Sequence, residues 1–222
     1  MPVKVDRILH SKRRTIALVI EHDSSVTVRA PLRMSARAIR DFVEKHAEWI
    51  EKKQYEMNSK VPEPIKQYHP GENFLFLGRE YSLEIVQSQH KKLILDDHFK
   101  LTESARENAE LVFHNWYRNQ ALQIITERVK YFSDQYDFHY AKIRITSART
   151  RWGSCSSKGT LSFSWRLILT PIETVDYVVI HELAHTVHQN HSKRFWALVE
   201  KIMPDYKELR KRLRQHGQQA LT

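Results

Sequence analysis

The sequence has few of the residues that form disulfides in small secreted domains or that are abundant in fibrous proteins: one cysteine, five glycines and seven prolines in 222 residues. A lone Cys155 excludes an internal disulfide and agrees with a reducing compartment. No run of 18 apolar residues is present, and the first residues lack the apolar core of a signal peptide. We therefore expect a soluble cytoplasmic protein that does not enter a membrane.

Acidic residues are in deficit, 26 against 36 basic ones, which gives a formal charge of +10. Such a charge attracts anionic partners without specifying them. Basic clusters at residues 12–14 and 207–214 allow nucleic acid as a partner, although solvated surfaces often carry such clusters. No helix-turn-helix, RNA-binding aromatic motif or Cys/His finger supports a dedicated nucleic-acid module.

The most informative stretch is His181-Glu182-Leu-Ala-His185, which follows a largely apolar run. On a helix, the two histidines lie about 40° apart and one turn apart, so both imidazoles can reach one metal ion. Glu182 lies on the adjoining edge, where it would face a metal-bound water and act as a general base. Burying His and Glu side chains on a helix costs free energy unless they are paired or bound to a metal. The apolar residues before the motif therefore favour a metal site.

A catalytic zinc usually has three protein ligands, so a third is needed. On a continued helix, His188 would spread the ligands over about 10 Å of axis, too far for bonds of about 2.0–2.1 Å. Gln189-Asn190 offers a turn that would fold His191 back onto the metal. We predict His191 as the third ligand, with zinc as the metal and another divalent ion possible.

The first part of the chain is predicted to be a β-rich region, residues 1–101, with one helix that Ser35 caps and that runs to about residue 60. Three hairpins are predicted in this region, at residues 15–31, 73–86 and 92–101. The second of them is expected to turn at Gly78-Arg79.

The composition changes at Thr102, and residues 102–222 are predicted to form the metal-binding catalytic region. A long helix over residues 103–136 carries apolar residues at helical spacing. Strands at 142–146 and 160–169 flank a loop at 149–159, in which Gly153 indicates a bulge or a close backbone approach. Pro171 then opens the metal helix, and two short helices follow His191.

Several motifs together resemble the YgjP-like metallopeptidase family, with the SprT-like and WLM metallopeptidases as distant relatives. They are Arg-Trp-Gly-Ser-Cys-Ser at 151–156, the helix motif at 181–185, Asn-His-Ser-Lys-Arg-Phe-Trp at 190–196, and short segments at 15–18 and 28–31. The resemblance implies an α+β fold with a zincin-like catalytic half, in which an antiparallel sheet packs on the metal helix. It places His181, His185 and His191 on the ligand positions and Glu182 on the general base.

Two enzymatic hypotheses follow. As a metallopeptidase, the protein would bind an extended peptide along an exposed strand within residues 160–166. As a nucleotide hydrolase, an activity that the resemblance also implies, it would convert UTP to UMP and pyrophosphate at the same metal site. Arg149, Arg151 and Lys158 would then neutralise the phosphates, unless they are solvated loop charges. Trp152, in the same loop, is a candidate substrate contact or wall of the site.

A third, non-enzymatic hypothesis is a metal-stabilised module that binds nucleic acid. It predicts that Glu182 is dispensable and that binding falls steeply with salt. Structural zinc sites normally fill all four positions with Cys and His, often in Cys-x-x-Cys spacings that this chain lacks. The sequence therefore favours a hydrolase.

Overall fold

The computed structural model describes residues 4–21, 23–58 and 66–220, without the side chains of residues 56–58 and 215–220. The chain has an α+β fold with two compact units, Met1–Pro64 and Ile65–Thr222. The predicted division falls at residues 101 and 102 instead. The second and third predicted hairpins, assigned to the N-terminal region, thus lie in the same unit as the metal helix, because they pack into its core.

The N-terminal unit contains a three-stranded sheet and two helices. The strands are β1 (Arg7–Ser11), β2 (Ala17–Ile20) and β3 (Val26–Pro31), in the order β1-β3-β2. β2 and β3 form the predicted antiparallel hairpin, and its predicted turn includes residue 22, outside the described residues. β1, which pairs parallel to β3, was not predicted.

Ser35 caps the first helix as predicted, since its side chain accepts a hydrogen bond from the amide of Ala38. The single predicted helix is two, α1 (Ala36–Lys45) and α2 (Ala47–Asn58). The break falls at His46, whose Nδ1 lies 2.7 Å from the carbonyl oxygen of Phe42. A side chain bonded to its own helix in this way competes with regular backbone geometry.

The C-terminal unit begins with a four-stranded sheet of order β4-β5-β7-β6. Its strands are β4 (Asn73–Phe76), β5 (Arg79–Val86), β6 (Leu93–Leu95) and β7 (Phe99–Thr102). The β4–β5 turn consists of Leu77 and Gly78, one residue before the predicted pair, and both have positive φ, 47° and 76°. Two positive φ values are what a type I′ hairpin turn requires.

The predicted long helix consists of a 3-10 segment (Glu103–Asn108) and α3 (Ala109–Tyr136). Its aromatic and aliphatic stripe is core, as expected for an amphipathic helix. Leu111 and Leu122, counted in the predicted stripe, are 59% and 51% exposed. The buried side is formed by residues at intervals of four: Phe113, Tyr117, Ala121, Ile125 and Val129.

The sheet nearest the metal helix has the order β8-β10-β9, with β8 (Lys142–Thr146), β9 (Gly153–Cys155) and β10 (Thr160–Ser164). It is mixed rather than antiparallel, because β10 runs parallel to β8 and antiparallel to β9. Two predictions are wrong. The predicted strand at 160–169 ends at Ser164 and continues as a 3-10 segment (Trp165–Leu169), and the predicted loop contains β9.

Three helices complete the unit: α4 (Ile172–Val187), α5 (Lys193–Ile202) and α6 (Tyr206–Ala220). Pro171 caps α4, and α4 is buried along most of its length. Arg128 of α3 ties the two helices together, because its Nε and a terminal nitrogen lie 2.5 and 2.8 Å from the two carboxylate oxygens of Asp176. Within the described ranges, none of the helices is long and apolar enough to cross a membrane.

Candidate metal centre

Three imidazoles converge at the C-terminal end of α4. His181, His185 and His191 each offer a ring nitrogen, and these nitrogens lie within 4.8 Å of one another. The Nε2 atoms of His181 and His191 are 3.0 Å apart. Two ligands on a tetrahedral zinc with bonds of about 2.0–2.1 Å would be about 3.3 Å apart. The donor set and its spacing therefore fit a zinc ion.

His191 reaches the site because the chain turns sharply after α4. The helix ends at Val187, and Ser192 caps α5 by accepting a hydrogen bond from the amide of Phe195. In between, the side-chain amide nitrogen Nε2 of Gln189 donates a hydrogen bond to the carbonyl oxygen of His185. The turn lies at the predicted Gln189-Asn190 position, and the five-residue spacer brings His191 back towards α4.

His188 contributes to the site through its backbone. Nδ1 of His185 lies 3.0 Å from the carbonyl oxygen of His188. A carbonyl oxygen only accepts, so Nδ1 carries the proton and Nε2 keeps its lone pair for a metal. Such a partner on the distal nitrogen orients metal-binding histidines. Sequence reasoning missed this role, since backbone groups leave no signal in residue identity.

His181 and His191 favour their neutral forms. Burial, together with the positive charge of His185, His191 and Arg210, lowers the pKa of His181 to about 3. The pKa of His191 is also lowered, first by burial and then by His185 and Arg210. Neutral imidazole is the form that binds metals. Nδ1 of His181 is buried without a hydrogen-bond partner in the described part of the chain.

Glu182 is buried beside the histidines, with 5% of its surface exposed. Burial raises its pKa to about 8, and the positive charge of Arg151 opposes that rise. Gly153 of β9 packs against this carboxylate. A Cβ atom added at Gly153 would lie 2.6 Å from Oε1 of Glu182, so the strand can pass here only without a side chain. The close approach predicted at Gly153 is confirmed.

β9 is an edge strand, and its residue Gly153 packs against Glu182. Towards β10, the carbonyl of Trp152 accepts from the amide of Ser164, and the amide of Ser156 donates to Thr160. In an antiparallel pair the bonded residues alternate, so the backbone groups of Gly153 and Cys155 point away from β10. The peptide-binding strand was predicted within residues 160–166, but β10 is the central strand of the sheet. The edge nearest Glu182 belongs to β9.

The predicted substrate-binding residues have different surroundings. Arg151 is exposed, and its charge acts on Glu182. Arg149 acts instead on Arg166, whose pKa is lowered by burial and by that charge. Lys158 lies in the exposed turn between β9 and β10. Trp152 is half-buried and packs against the core, which makes it a wall residue.

Cys155 is half-buried in β9, and its thiol lies 3.4 Å from the carbonyl oxygen of Ser156. Burial raises the pKa of this thiol, and the negative charge of Glu182 adds to the rise. A thiol with a raised pKa is a poor nucleophile and a poor metal ligand, since both roles need the thiolate. Cys155 is therefore a packing residue.

Aromatic rings of α5 and α6 enclose the histidines. The ring of Phe195 is centred 4.5 Å from that of His185, and Trp196 stacks on His191 at 5.5 Å. Trp196 also stacks on Tyr206 at 5.3 Å. The guanidinium carbon of Arg210 lies 4.9 Å from the Trp196 ring centre. Sequence reasoning missed Arg210, for which the available signal is its spacing of four residues from Tyr206 on one helix face.

A buried helix bearing a His-Glu-x-x-His motif, beneath a small sheet with a free edge strand, defines a zincin-like metallopeptidase half. The chain belongs to the YgjP-like family: the model described as "YgjP-like, metallopeptidase domain" matches residues 14–216. This confirms the resemblance found in the sequence and supports a metallopeptidase.

Among solved structures, the crystal structure of the metallopeptidase zymogen abylysin from Pyrococcus abyssi is similar to this chain. The similarity covers 41% of this chain and 93% of that one, with 26% sequence identity and a TM-score of 0.39. A search of curated proteins finds no match.

Proposed function

We propose that the protein is a zinc-dependent metallopeptidase in which His181, His185 and His191 hold the ion and Glu182 is the general base. One observation carries the proposal: three imidazoles with nitrogens within 4.8 Å of one another lie beside a buried carboxylate. That arrangement, in a chain of a metallopeptidase family, suits hydrolysis of an amide.

Three imidazole nitrogens suit zinc, although other first-row divalent ions accept the same donors. When bound, such an ion polarises the scissile carbonyl and lowers the pKa of water. The protein contributes the orientation of the ligands. The hydrogen bond from Nδ1 of His185 to the His188 carbonyl fixes one ring, and stacking on Trp196 fixes the ring of His191.

Glu182 would move the proton. Its carboxylate takes a proton from the attacking water and passes it to the nitrogen of the leaving amine. Burial suits this role, because a carboxylate with a raised pKa is a stronger base than an exposed one. The same burial keeps bulk water from competing for the proton.

β9 would align the substrate. The backbone groups of Gly153 and Cys155 on the free edge can pair with an extended peptide, which adds a strand to the sheet. Because Gly153 also packs on Glu182, pairing along this strand would bring a peptide bond next to the base. β9 thus replaces residues 160–166 as the proposed peptide-binding strand.

The alternative, hydrolysis of UTP to UMP and pyrophosphate, has one supporting feature, the charge of Arg151 beside Glu182. The other basic residues proposed for phosphate binding, Arg149 and Lys158, have no such effect on Glu182. A nucleoside triphosphate carries several charges and is usually bound by convergent cations or a glycine-rich backbone. The peptide hypothesis is therefore the stronger one.

The test is a parallel screen of a mixed peptide library and nucleoside triphosphates with zinc-loaded protein. Glu182→Gln should lower peptide cleavage by roughly 10²- to 10⁴-fold, the usual contribution of general-base catalysis. Glu173→Gln, an exposed carboxylate in the first turn of the same helix, is the control and should cleave normally.

Three results would contradict the proposal. Equal cleavage by Glu182→Gln and the unchanged protein would remove Glu182 from the mechanism. Release of pyrophosphate from UTP without cleavage of any peptide would favour the nucleotide hydrolase. Salt-sensitive nucleic-acid binding that needs the metal, with no hydrolysis of either substrate, would favour the binding module.

A further inference from the structure

We propose that Arg210 binds a carboxylate of the substrate next to the metal centre, so that the site selects peptides with a carboxylate near the scissile bond. This inference rests on the proposed peptidase function and deepens it, because it names a residue and a substrate class that the His-Glu motif does not define.

Arg210 is held at the metal centre by a stack of rings. Its guanidinium carbon lies 4.9 Å from the ring centre of Trp196, which in turn stacks on the metal-site residue His191. Tyr206, one turn earlier on α6, is buried and stacks on the same tryptophan at 5.3 Å. A guanidinium over an indole is favourable and directional. The stack therefore fixes the position of the Arg210 guanidinium next to Trp196.

A second arginine, Arg214, lies one turn after Arg210 on α6. Arg210 and Arg214 are four residues apart and therefore lie on one face of the helix.

Other cations of α6 already have carboxylate partners. Nζ of Lys207 lies 3.2 Å from Glu200, and Nε of Arg212 lies 3.4 Å from Glu208. Among the residues that the structure describes, no carboxylate lies within 4.0 Å of Arg210. An exposed guanidinium held on the tryptophan that stacks on His191, with no carboxylate partner among the described residues, is suited to receive an anion from a ligand.

The anion that fits is a carboxylate rather than a polyphosphate. One planar guanidinium matches one carboxylate through two parallel hydrogen bonds. A polyphosphate would need further cations or a glycine-rich loop. Gly153 does not offer such a loop, because Glu182 occupies the space beside it. The carboxylate can come from the C-terminus of a peptide or from an Asp or Glu side chain, and the experiment separates these sources.

The experiment measures peptide binding to zinc-loaded Glu182→Gln protein, so that no substrate is consumed. The probes are acetyl-Ala-Ala-Ala-Glu and acetyl-Ala-Ala-Ala-Gln, each with a free and an amidated C-terminus. We expect the carboxylate peptides to bind on the order of 10- to 100-fold more tightly than the neutral Gln amide. Preference for the Gln peptide with a free C-terminus identifies the α-carboxylate, and preference for the Glu amide identifies the side chain.

Adding Arg210→Gln to the Glu182→Gln protein should bring the affinity ratio between the carboxylate peptides and the neutral Gln amide close to one. Adding Arg210→Lys instead should keep part of the preference. Arg212→Gln is the matched control: the same residue type on the same helix, paired with Glu208 and not coupled to the histidines. It should keep the full preference. Zinc content, measured on each variant, should stay at one ion per chain.

Equal binding of the neutral and acidic peptides, no binding of any of them, or a preference that survives Arg210→Gln would overturn the inference. Binding of UTP that depends on Arg210, without binding of the acidic peptides, would also overturn it in favour of a phosphate. The two proposals fail separately. Arg210-dependent binding without cleavage by the unchanged protein would refute the peptidase alone, and cleavage indifferent to carboxylates would refute the role of Arg210 alone.

Discussion

Helix α4 carries a half-buried carboxylate, Asp176, and a buried one, Glu182, six residues later, and their surroundings differ. Asp176 forms a bidentate ion pair with Arg128 of α3, and its side chain is 14% exposed. Glu182 has no cation within 4.0 Å in the described part of the chain, and Gly153 closes over it. Burial raises the pKa of both, but only Asp176 has a hydrogen-bonded partner that opposes the rise. A paired carboxylate ties helices together, whereas an unpaired one beside three histidines is suited to proton transfer.

The sharpest way to test this contrast is to neutralise Glu182. Glu182→Gln should lower cleavage by roughly 10²- to 10⁴-fold. The free energy of unfolding of the metal-free protein should stay the same or rise, because a neutral amide avoids the cost of burying a charge. Thermal unfolding and steady-state kinetics on the same preparation check both. Loss of stability together with activity would mean that Glu182 is structural, like Asp176.

Removing the metal should weaken the C-terminal end of α4 and leave the Arg128 end intact. An ion that binds only the folded chain stabilises it by about 4 kcal/mol at 1,000 times its Kd, which raises Tm by roughly 10 °C for a chain of this size. We expect chelation to reverse this shift. His191→Ala should abolish most of it, and His188→Ala, whose backbone carbonyl remains, should retain it. A Tm that does not respond to zinc would contradict the proposed ligands.

Breaking the ion pair between Arg128 and Asp176 should lower stability and keep activity, the opposite of the result expected for Glu182→Gln. Arg128→Met leaves Asp176 partly buried without its partner, so we expect the free energy of unfolding to fall by about 2–3 kcal/mol, between the values for exposed and buried pairs. Activity per folded molecule should persist. Arg128→Met/Asp176→Leu should recover much of the loss, since an apolar pair can replace a buried ionic one. Equal stability of the two variants would show that the charge on Asp176 costs little once it is unpaired.

Gly153→Ala tests the space around Glu182. The new methyl would meet Oε1 at 2.6 Å and must displace the carboxylate. Overpacking of this size costs about 1–3 kcal/mol, and a shift of about 1 Å at a catalytic group can lower the rate by about 10²-fold. Gly71→Ala, where nothing lies within 4 Å but φ is +83°, controls for backbone strain and should affect stability alone. Full activity of Gly153→Ala would show that β9 can move away from α4.

Sequence reasoning located the histidines and Glu182 because helical periodicity and zinc geometry restrict which residues can meet. It identified His191 because Asn190 tolerates a turn. It missed β9, since Gly-Ser-Cys is short and has low strand propensity, and it extended β10 because the apolar run at 165–169 also suits a strand. The 3-10 turn there depends on tertiary packing. Arg210 was missed for the same reason, because its place beside Trp196 depends on which faces of the helices meet.

The contact between Gly153 and Glu182 links two positions that are far apart in sequence. At the strand–helix distance seen here, a methyl gained on one side has to be matched by a methylene lost on the other. A chain with alanine in the strand would then need aspartate on the helix, and its proton acceptor would sit farther from the histidines. In any sequence that varies at these two positions, the strand residue limits how far the base can reach.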